Sequence, residues 1–213
     1  MRPGASQGRL AAGAATGDPV PLGRVGAGTG ATLGKLRGRD HARPGGLGGS
    51  VARVGDLTVA ALVAVNAVGD VDDGATMAEI AAGTFDPPQV EPFNEESDAD
   101  QAADQEGGEA QGSSSTSPGD TAGQNTTIGV VATNAILTKA ECHLVAQSAH
   151  DGFARALVPA HSIGDGDAVV AAATGLVEAE TSTVRLLATA VVETAIRSVA
   201  STGPADRASS LGA

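Results

Sequence analysis

The pattern of apolar and polar positions predicts two regions of regular structure separated by a long polar stretch. In the first region, residues 8–83, apolar residues concentrate in Val51–Val71, and Asp56–Asn66 forms a nearly continuous run of Val, Ala and Leu. Such a β-branched run predicts one or two buried strands, although periodicity alone leaves a buried helix open. Leu10–Ala15 is Ala-rich, and the glycine density of Gly23–Gly49 indicates tight turns and closely approached backbone.

The second region predicts a strand, a helix, a strand and a helix in that order. The strands are expected over Ile128–Thr133 and Ala168–Thr174, with a loop through Pro159–Asp167 before the second strand. The helices are expected from Thr138 to about Leu157 and from about Ser182 to Ala200. This order predicts helices laid on a sheet, and therefore an α/β fold.

Both predicted helices carry signals at their first residues and along one face. Thr138, followed three residues later by Glu141, forms a capping box, and Thr181 or Ser182 can cap the second helix. Apolar residues recur at helical spacing in both segments, so that each helix has a stripe for packing against a core.

The polar stretch, residues 84–124, combines Pro, Gly, Ser, Asp, Glu and Gln, and it holds ten acidic residues but no Lys or Arg. A segment with so few apolar side chains cannot offset the conformational entropy that is lost on ordering, and this composition therefore predicts a disordered linker. We therefore expect three parts: residues 1–83, a linker 84–125, and residues 126–213. Most of the formal net charge of −12 at pH 7 lies in the linker.

Composition limits the possible partners and the compartment. The 213 residues, of which 41% are hydrophobic and 1% aromatic, predict one core built from Ala, Val, Leu and Ile. No Lys/Arg cluster of the kind that binds nucleic acid is present. A single cysteine, Cys142, excludes an internal disulfide and fits a reducing compartment. Without a signal-like or membrane-spanning apolar run, the sequence predicts a cytoplasmic protein that binds neither membrane nor nucleic acid.

Two glycine motifs are too weak to predict a nucleotide cofactor. Gly26–Ala31 fits the loose dinucleotide pattern G-x-G-x-x-A, but the next residues do not open a convincing helix for a pyrophosphate. Gly30–Lys35 imitates a phosphate loop, yet it is one residue short and continues with Leu36 where Ser or Thr is needed. We therefore expect no cofactor.

The histidines of the second region do not predict a metal site. With Cys142, they have no recognised zinc spacing, and solvated or core histidines are favoured. The residues concerned are His143, His150 and His161. Asp165-Gly166-Asp167 would, in isolation, be interpreted as a turn.

The junction between linker and second region carries candidate chemistry, because two threonines, Thr126 and Thr127, follow Asn125 just before the strand. If the Asn125–Thr126 bond is cut, Thr126 gains a free α-amine within reach of its own hydroxyl. Nucleophile and base are then one residue. On its own, Asn-Thr-Thr before a strand is more often only a turn entering a sheet.

Taken together, five segments resemble the self-processing peptidase family of DmpA-type aminopeptidases, β-peptidyl aminopeptidases and 6-aminohexanoate-oligomer (nylon-oligomer) hydrolases. They occur in order between about Gly8 and Ala200, and they are Gly23–Lys35, Ala64–Gly69, Asn125–Ile128, Ala149–Gly152 and His161–Asp167. The resemblance implies an αββα sandwich similar to N-terminal-nucleophile hydrolases. It also implies a precursor that cuts itself before a Ser or Thr, giving α and β fragments that stay associated.

Site roles follow from the same resemblance. It implies that Thr126 is the nucleophile and that Asn125 becomes the C-terminus of the α fragment. Lys35 matches the family lysine near the nucleophile, and Asn66 matches the asparagine that polarises the carbonyl or holds the oxyanion.

The resemblance further assigns Asp165 and Asp167 to the pair that positions the threonine hydroxyl and amine. A free α-amine has an ordinary pKa of about 7.7 to 8.0, so part of it is neutral and can accept a proton near pH 7. Lys35 would lower that pKa by like-charge repulsion, and the two aspartates would oppose this effect.

Family members extend further on the N-terminal side, and Met1–Gln7 matches nothing in them. The sequence therefore predicts an N-terminally truncated member that lacks part of the sandwich. The expected function is hydrolysis of amide bonds in small peptides or amide oligomers, in a homo-oligomer. The alternative is an inactive fragment that serves only as a binding or assembly subunit.

Overall fold

The structure is a computed structural model that describes residues 4–36, 38–86 and 125–201. Residues 87–124, which make up nearly all of the predicted disordered linker, lie outside the described residues. Among the helices of the described part, none combines the length and the apolar character needed to cross a membrane.

The elements are numbered in chain order. The first region contains α1 (Ala5–Gly13), β1 (Thr32–Leu33), β2 (Arg43–Pro44), β3 (Gly46–Val54), β4 (Leu57–Val65), β5 (Asp70–Val71) and α2 (Ala75–Ala82). Short 3₁₀ helices lie at Gly26–Gly28 and Arg39–His41. The second region contains β6 (Ile128–Ala135), α3 (Lys139–Ala156), β7 (Leu157–Val158), β8 (Ala168–Val177) and α4 (Thr181–Ser201). The predicted β-α-β-α order is confirmed, with β7 as a short addition.

Four strands form the main sheet in the order β3-β4-β6-β8. Of the one or two buried strands predicted in Val51–Val71, β4 lies wholly within that range, and it forms an antiparallel hairpin with β3, which begins earlier, at Gly46. β4 pairs with β6 in the antiparallel sense, placing Val63 opposite Gly129, and β6 pairs with β8 in the parallel sense, placing Val130 opposite Val170. α3 lies in the crossover that the parallel pair needs.

Helices α3 and α4 cover one face of this sheet and enclose the core. Val59, Val63 and Val131 on the strands and Phe153 and Val192 on the helices are fully buried. α4 packs unusually close to β3 because Gly48 has no side chain, and a Cβ there would lie 2.0 Å from the carbonyl oxygen of Ala195. A core of small aliphatic side chains thus brings the helix and strand backbones together.

No helix of the described residues covers the opposite face of the sheet. Ile128 and Val130 are 47% and 48% exposed, and Val170 is 63% exposed. Besides two short two-stranded pairs, the described residues therefore supply one four-stranded sheet layer and one helical layer, which is half the number of layers in an αββα sandwich.

The predicted capping box at the start of α3 is confirmed. The Thr138 amide donates to Glu141 Oε2 over 2.8 Å, and the Thr138 hydroxyl accepts from the Glu141 amide. The hydrogen bond from the Thr138 backbone is the largest cause of a lowered pKa at Glu141. At α4, which begins at Thr181, the Thr181 hydroxyl donates to Glu141 Oε1 over 2.8 Å. Glu141 thus connects the beginnings of the two core helices.

Candidate active site

Two backbone hydrogen bonds and a strand-like bridge hold the Asn125–Thr126 peptide between two other segments. Asn125 forms a parallel bridge with Asp165, and the Gly166 amide donates to the Asn125 carbonyl oxygen over 2.9 Å. The Thr126 amide donates to the backbone carbonyl of Asn66 over 2.9 Å. These contacts extend the β4–β6–β8 pairing by a few residues, and they hold the peptide at the beginning of the central strand β6.

The hydroxyl of Thr126 lies against the peptide group that precedes it. Its Oγ1 donates to the Asn125 carbonyl oxygen over 2.6 Å. Gly166 makes room for this hydroxyl, since a Cβ at that position would lie 2.9 Å from Thr126 Oγ1. The same carbonyl therefore receives one donor from the Thr126 side chain and one from the Gly166 backbone.

Asp165 and Asp167 hold the backbone around Thr126. Asp165 Oδ1 accepts from the Val68 amide over 3.0 Å, and its Oδ2 accepts from the Ser162 hydroxyl over 2.6 Å. Asp167 Oδ1 accepts from the Thr127 amide over 2.8 Å, and its side chain is only 4% exposed. Both carboxylates thus hold the segments next to Thr126 through these hydrogen bonds, none of which involves the Thr126 hydroxyl.

Lys35 and Asn66 meet on the other side of Thr126. Lys35 Nζ donates to Asn66 Oδ1 over 3.1 Å, and the Thr32 amide donates to the same oxygen over 3.0 Å. Because both neighbours are donors, the amide oxygen must face them, and the NH₂ group forms the other branch of the side chain. The Lys35 amide also donates to the Val68 carbonyl over 2.8 Å, which secures the end of the glycine-rich segment.

A pocket of about 500 Å³ opens beside these residues. Thr126, Asn66 and Lys35 line it, together with the glycine-rich segment at Gly30 and Ala31. Lys35 is the only charged residue among the described lining residues. Small side chains at this wall leave space for a ligand beside the Thr126 hydroxyl.

Two histidines extend the site behind Asp167, which the sequence did not predict. His161 Nδ1 lies 2.8 Å from Asp167 Oδ2, and His161 Nε2 lies 3.3 Å from His150 Nδ1. Burial is the largest cause of a lowered pKa at His150, and nearby His161 lowers it further, whereas Asp167 and Asp151 raise it. Both histidines belong to segments that carry the family resemblance, and this was the available signal.

The other candidate ligands lie apart from this group. His143 is exposed and contacts Gln147, and Cys142 is partly buried. Within the described ranges, no set of three or more His, Cys, Asp or Glu side chains could hold a metal ion.

Comparison with known proteins places this chain in a family. The model of peptidase family S58 matches residues 4–203. An uncharacterised aminopeptidase of Mycobacterium leprae is 44% identical over 161 residues, which are 75% of this chain and 39% of that protein. A 6-aminohexanoate-oligomer endohydrolase of Kocuria sp. is 30% identical over 180 residues, which are 84% of this chain and 47% of that protein. The chain thus spans less than half the length of these two relatives.

Solved structures agree on the fold. A β-aminopeptidase of Burkholderia sp. superposes with a TM-score of 0.57 at 21% identity, covering 90% of this chain and 49% of that chain. The L-aminopeptidase D-Ala-esterase/amidase of Ochrobactrum anthropi, described as a variant of the N-terminal-nucleophile hydrolase fold, gives 0.55 at 19% identity, with 90% and 47% coverage. The expected α/β fold related to N-terminal-nucleophile hydrolases is therefore confirmed, and the chain belongs to peptidase family S58.

Proposed function

We propose that this chain carries the nucleophile of an amide-bond hydrolase that acts on small peptides or amide oligomers. Cleavage of the Asn125–Thr126 bond would activate it and make Thr126 the N-terminal nucleophile. The observation that supports this most directly is the Thr126 hydroxyl, 2.6 Å from the oxygen of the carbonyl it would attack. The aminopeptidases and 6-aminohexanoate-oligomer hydrolases among the relatives support the substrate class.

In the proposed cleavage, Thr126 Oγ1 attacks the carbonyl carbon of Asn125. A C–O bond forms, the C–N bond breaks, and the hydroxyl proton ends on the Thr126 nitrogen. Water then hydrolyses the ester, leaving a carboxylate on Asn125 and a free hydroxyl on Thr126. Gly166 N–H, 2.9 Å from the carbonyl oxygen, donates where negative charge develops.

The released α-amine would then serve as the base for Thr126 in substrate hydrolysis. The NH₂ group of Asn66 is the proposed donor to the oxyanion of the substrate, and Lys35 holds the amide oxygen of Asn66 from the other side. Asp165 and Asp167 would keep the backbone around the nucleophile in place.

The two fragments, residues 1–125 and 126–213, would stay together after the cut. β4 of the first fragment pairs with β6 of the second, from Val59 opposite Thr133 to Ala64 opposite Ile128. The nucleophile would therefore remain beside Lys35 and Asn66. Assembly into a homo-oligomer and a cytoplasmic location remain predictions from the sequence.

Intact-mass spectrometry and N-terminal sequencing test the proposal. The wild-type chain should yield a fragment beginning Thr-Thr-Ile, Thr126→Ala should stay whole and lack amidase activity, and Thr126→Ser should keep part of both. Thr127→Val is the matched control. It removes a neighbouring hydroxyl whose oxygen is buried and has no hydrogen-bond partner among the described residues, so self-cleavage should persist.

Two outcomes would contradict the proposal. A folded wild-type chain that stays whole yet hydrolyses amides would overturn the mechanism. A folded chain that neither cuts itself nor hydrolyses amides would favour the alternative, a binding or assembly subunit without catalysis.

A further inference from the structure

A line of three side chains runs from helix α3 to the backbone beside Thr126. His150 Nδ1 lies 3.3 Å from His161 Nε2, and His161 Nδ1 lies 2.8 Å from Asp167 Oδ2. The other oxygen of Asp167 accepts from the Thr127 amide over 2.8 Å. The line therefore ends one residue after the proposed nucleophile.

The chemistry of these groups fixes where the proton on His161 lies. An ionised carboxylate can only accept, so His161 Nδ1 must carry a hydrogen and donate it to Asp167. In the neutral ring, Nε2 is then an acceptor, and His150 Nδ1–H is the matching donor. Each oxygen of Asp167 is thus occupied by one donor, His161 on one side and Thr127 on the other.

The backbone of His161 is held in an uncommon conformation. Its φ of 54° makes it the one non-glycine residue with positive φ in the part of the chain that the structure describes. Such conformations persist where the surroundings determine them, and they cluster at functional sites. Here Phe153, which is fully buried, stacks on the His161 ring with the ring centroids 5.5 Å apart.

We propose that His161 is a positioning residue, whose Nδ1–H holds Asp167 so that this carboxylate fixes the Thr127 amide and, through it, Thr126. His150 selects the tautomer of His161 that can do so. This inference rests on the proposed function of Thr126 as the nucleophile. Its rival is that His161 only supplies a left-handed turn between β7 and β8.

Two substitutions at one position separate these roles. Asn is tolerated at positive φ, and the NH₂ group of its side chain can donate in place of Nδ1–H. Gly fits the turn better than any other residue but has no donor. In the full chain, His161→Asn should cut itself within about tenfold of the wild-type rate, whereas His161→Gly should be slower by about 10- to 100-fold, the loss expected when a buried acceptor is left unsatisfied.

The comparison is made with both variants shown to be folded by circular dichroism. A His161→Gly variant that cuts as fast as His161→Asn or the wild type would overturn the positioning role and leave only the turn. His150→Phe keeps an aromatic ring against Phe153 but removes the hydrogen bond to His161, and we expect a smaller slowing than in the glycine variant.

A measurement that does not depend on catalysis tests the hydrogen bonds themselves. In the uncut Thr126→Ala chain, ¹⁵N NMR of the imidazole rings should show His161 protonated at Nδ1, and Asp167→Asn should change the His161 shifts. A neutral ring protonated only at Nε2, or shifts that Asp167→Asn leaves unchanged, would overturn the proposal even if the wild type cuts itself. A wild-type chain that does not cut itself would instead contradict the proposed function of Thr126. His161 could then not be positioning a nucleophile.

Discussion

The two sides of Thr126 differ in what they contact. On the loop side, Asp165 and Asp167 bind backbone amides, the Ser162 hydroxyl and the His161 ring. On the pocket side, Lys35 and Asn66 line the cavity of about 500 Å³ that also exposes Thr126. One side is therefore arranged to hold the nucleophile, and the other to meet a substrate.

The two sides also belong to different parts of the chain. Lys35 and Asn66 precede the proposed cut, whereas Thr126, Asp165 and Asp167 follow it. Cleavage would leave the holding groups on the same fragment as the nucleophile and the substrate-facing groups on the other. Strand pairing between β4 and β6 is what keeps the two halves of such a site in register.

The largest effect is expected on the pocket side. Asn66→Ala should reduce amide hydrolysis by about 10²- to 10³-fold, the usual loss when one oxyanion donor is removed. Asn66→Asp is the matched variant, since it keeps an acceptor for Lys35 and Thr32 but has no NH₂ group. Steady-state kinetics should show both variants similarly impaired. Full activity in the Asp variant would mean that Asn66 only anchors its two neighbours.

A smaller effect is expected from the loop side. In Asp167→Asn, the new NH₂ group must face either the Thr127 amide, which is a fixed donor, or His161, whose ring must then change tautomer in order to accept. We expect a cost of about 1–3 kcal/mol. If this cost raises the activation barrier of self-cleavage by the same amount, the reaction slows by roughly 5- to 150-fold.

Asp165→Asn should be milder than Asp167→Asn, because the Ser162 hydroxyl can turn and accept from the new NH₂ group. Cleavage rates from time-resolved intact mass, with circular dichroism as the check on folding, would measure both variants. Wild-type rates in both variants would show that Asp165-Gly166-Asp167 is an ordinary acidic turn with no role in self-cleavage.

The smallest effect is expected from Gly166→Ala. The new Cβ would lie 2.9 Å from Thr126 Oγ1, so the hydroxyl must move by a few tenths of an ångström. We expect self-cleavage to slow by about tenfold, because small misplacements of a reacting group are costly. Gly164→Ala, two residues earlier, would meet nothing closer than 3.8 Å and should cut at the wild-type rate. Equal rates in the two variants would show that the Thr126 hydroxyl tolerates displacement.

Local signals were sufficient for the two helices and the two long strands of the second region. The capping box at Thr138 and the apolar stripe of α3 depend on residues three or four positions apart. Such short-range patterns can be recognised directly in the amino-acid sequence. The glycine-rich first region could not be assigned in the same way. Gly48 is required by the carbonyl of Ala195, nearly 150 positions away in the sequence, and no neighbouring residue indicates this contact.

The sequence by itself determined the family, the order of strands and helices after Thr126, and the residue types available for chemistry, because motifs and hydrophobic periodicity are local properties. Only the tertiary structure decided that Gly166 N–H meets the Asn125 carbonyl, that Lys35 contacts Asn66, and that two histidines stand behind Asp167. The contact between Gly166 and Asn125 depends on strand register, and the parallel pairing of β6 with β8 sets that register through backbone hydrogen bonds between residues about 40 positions apart. The other contacts join side chains from separate segments, which come together only when the chain folds.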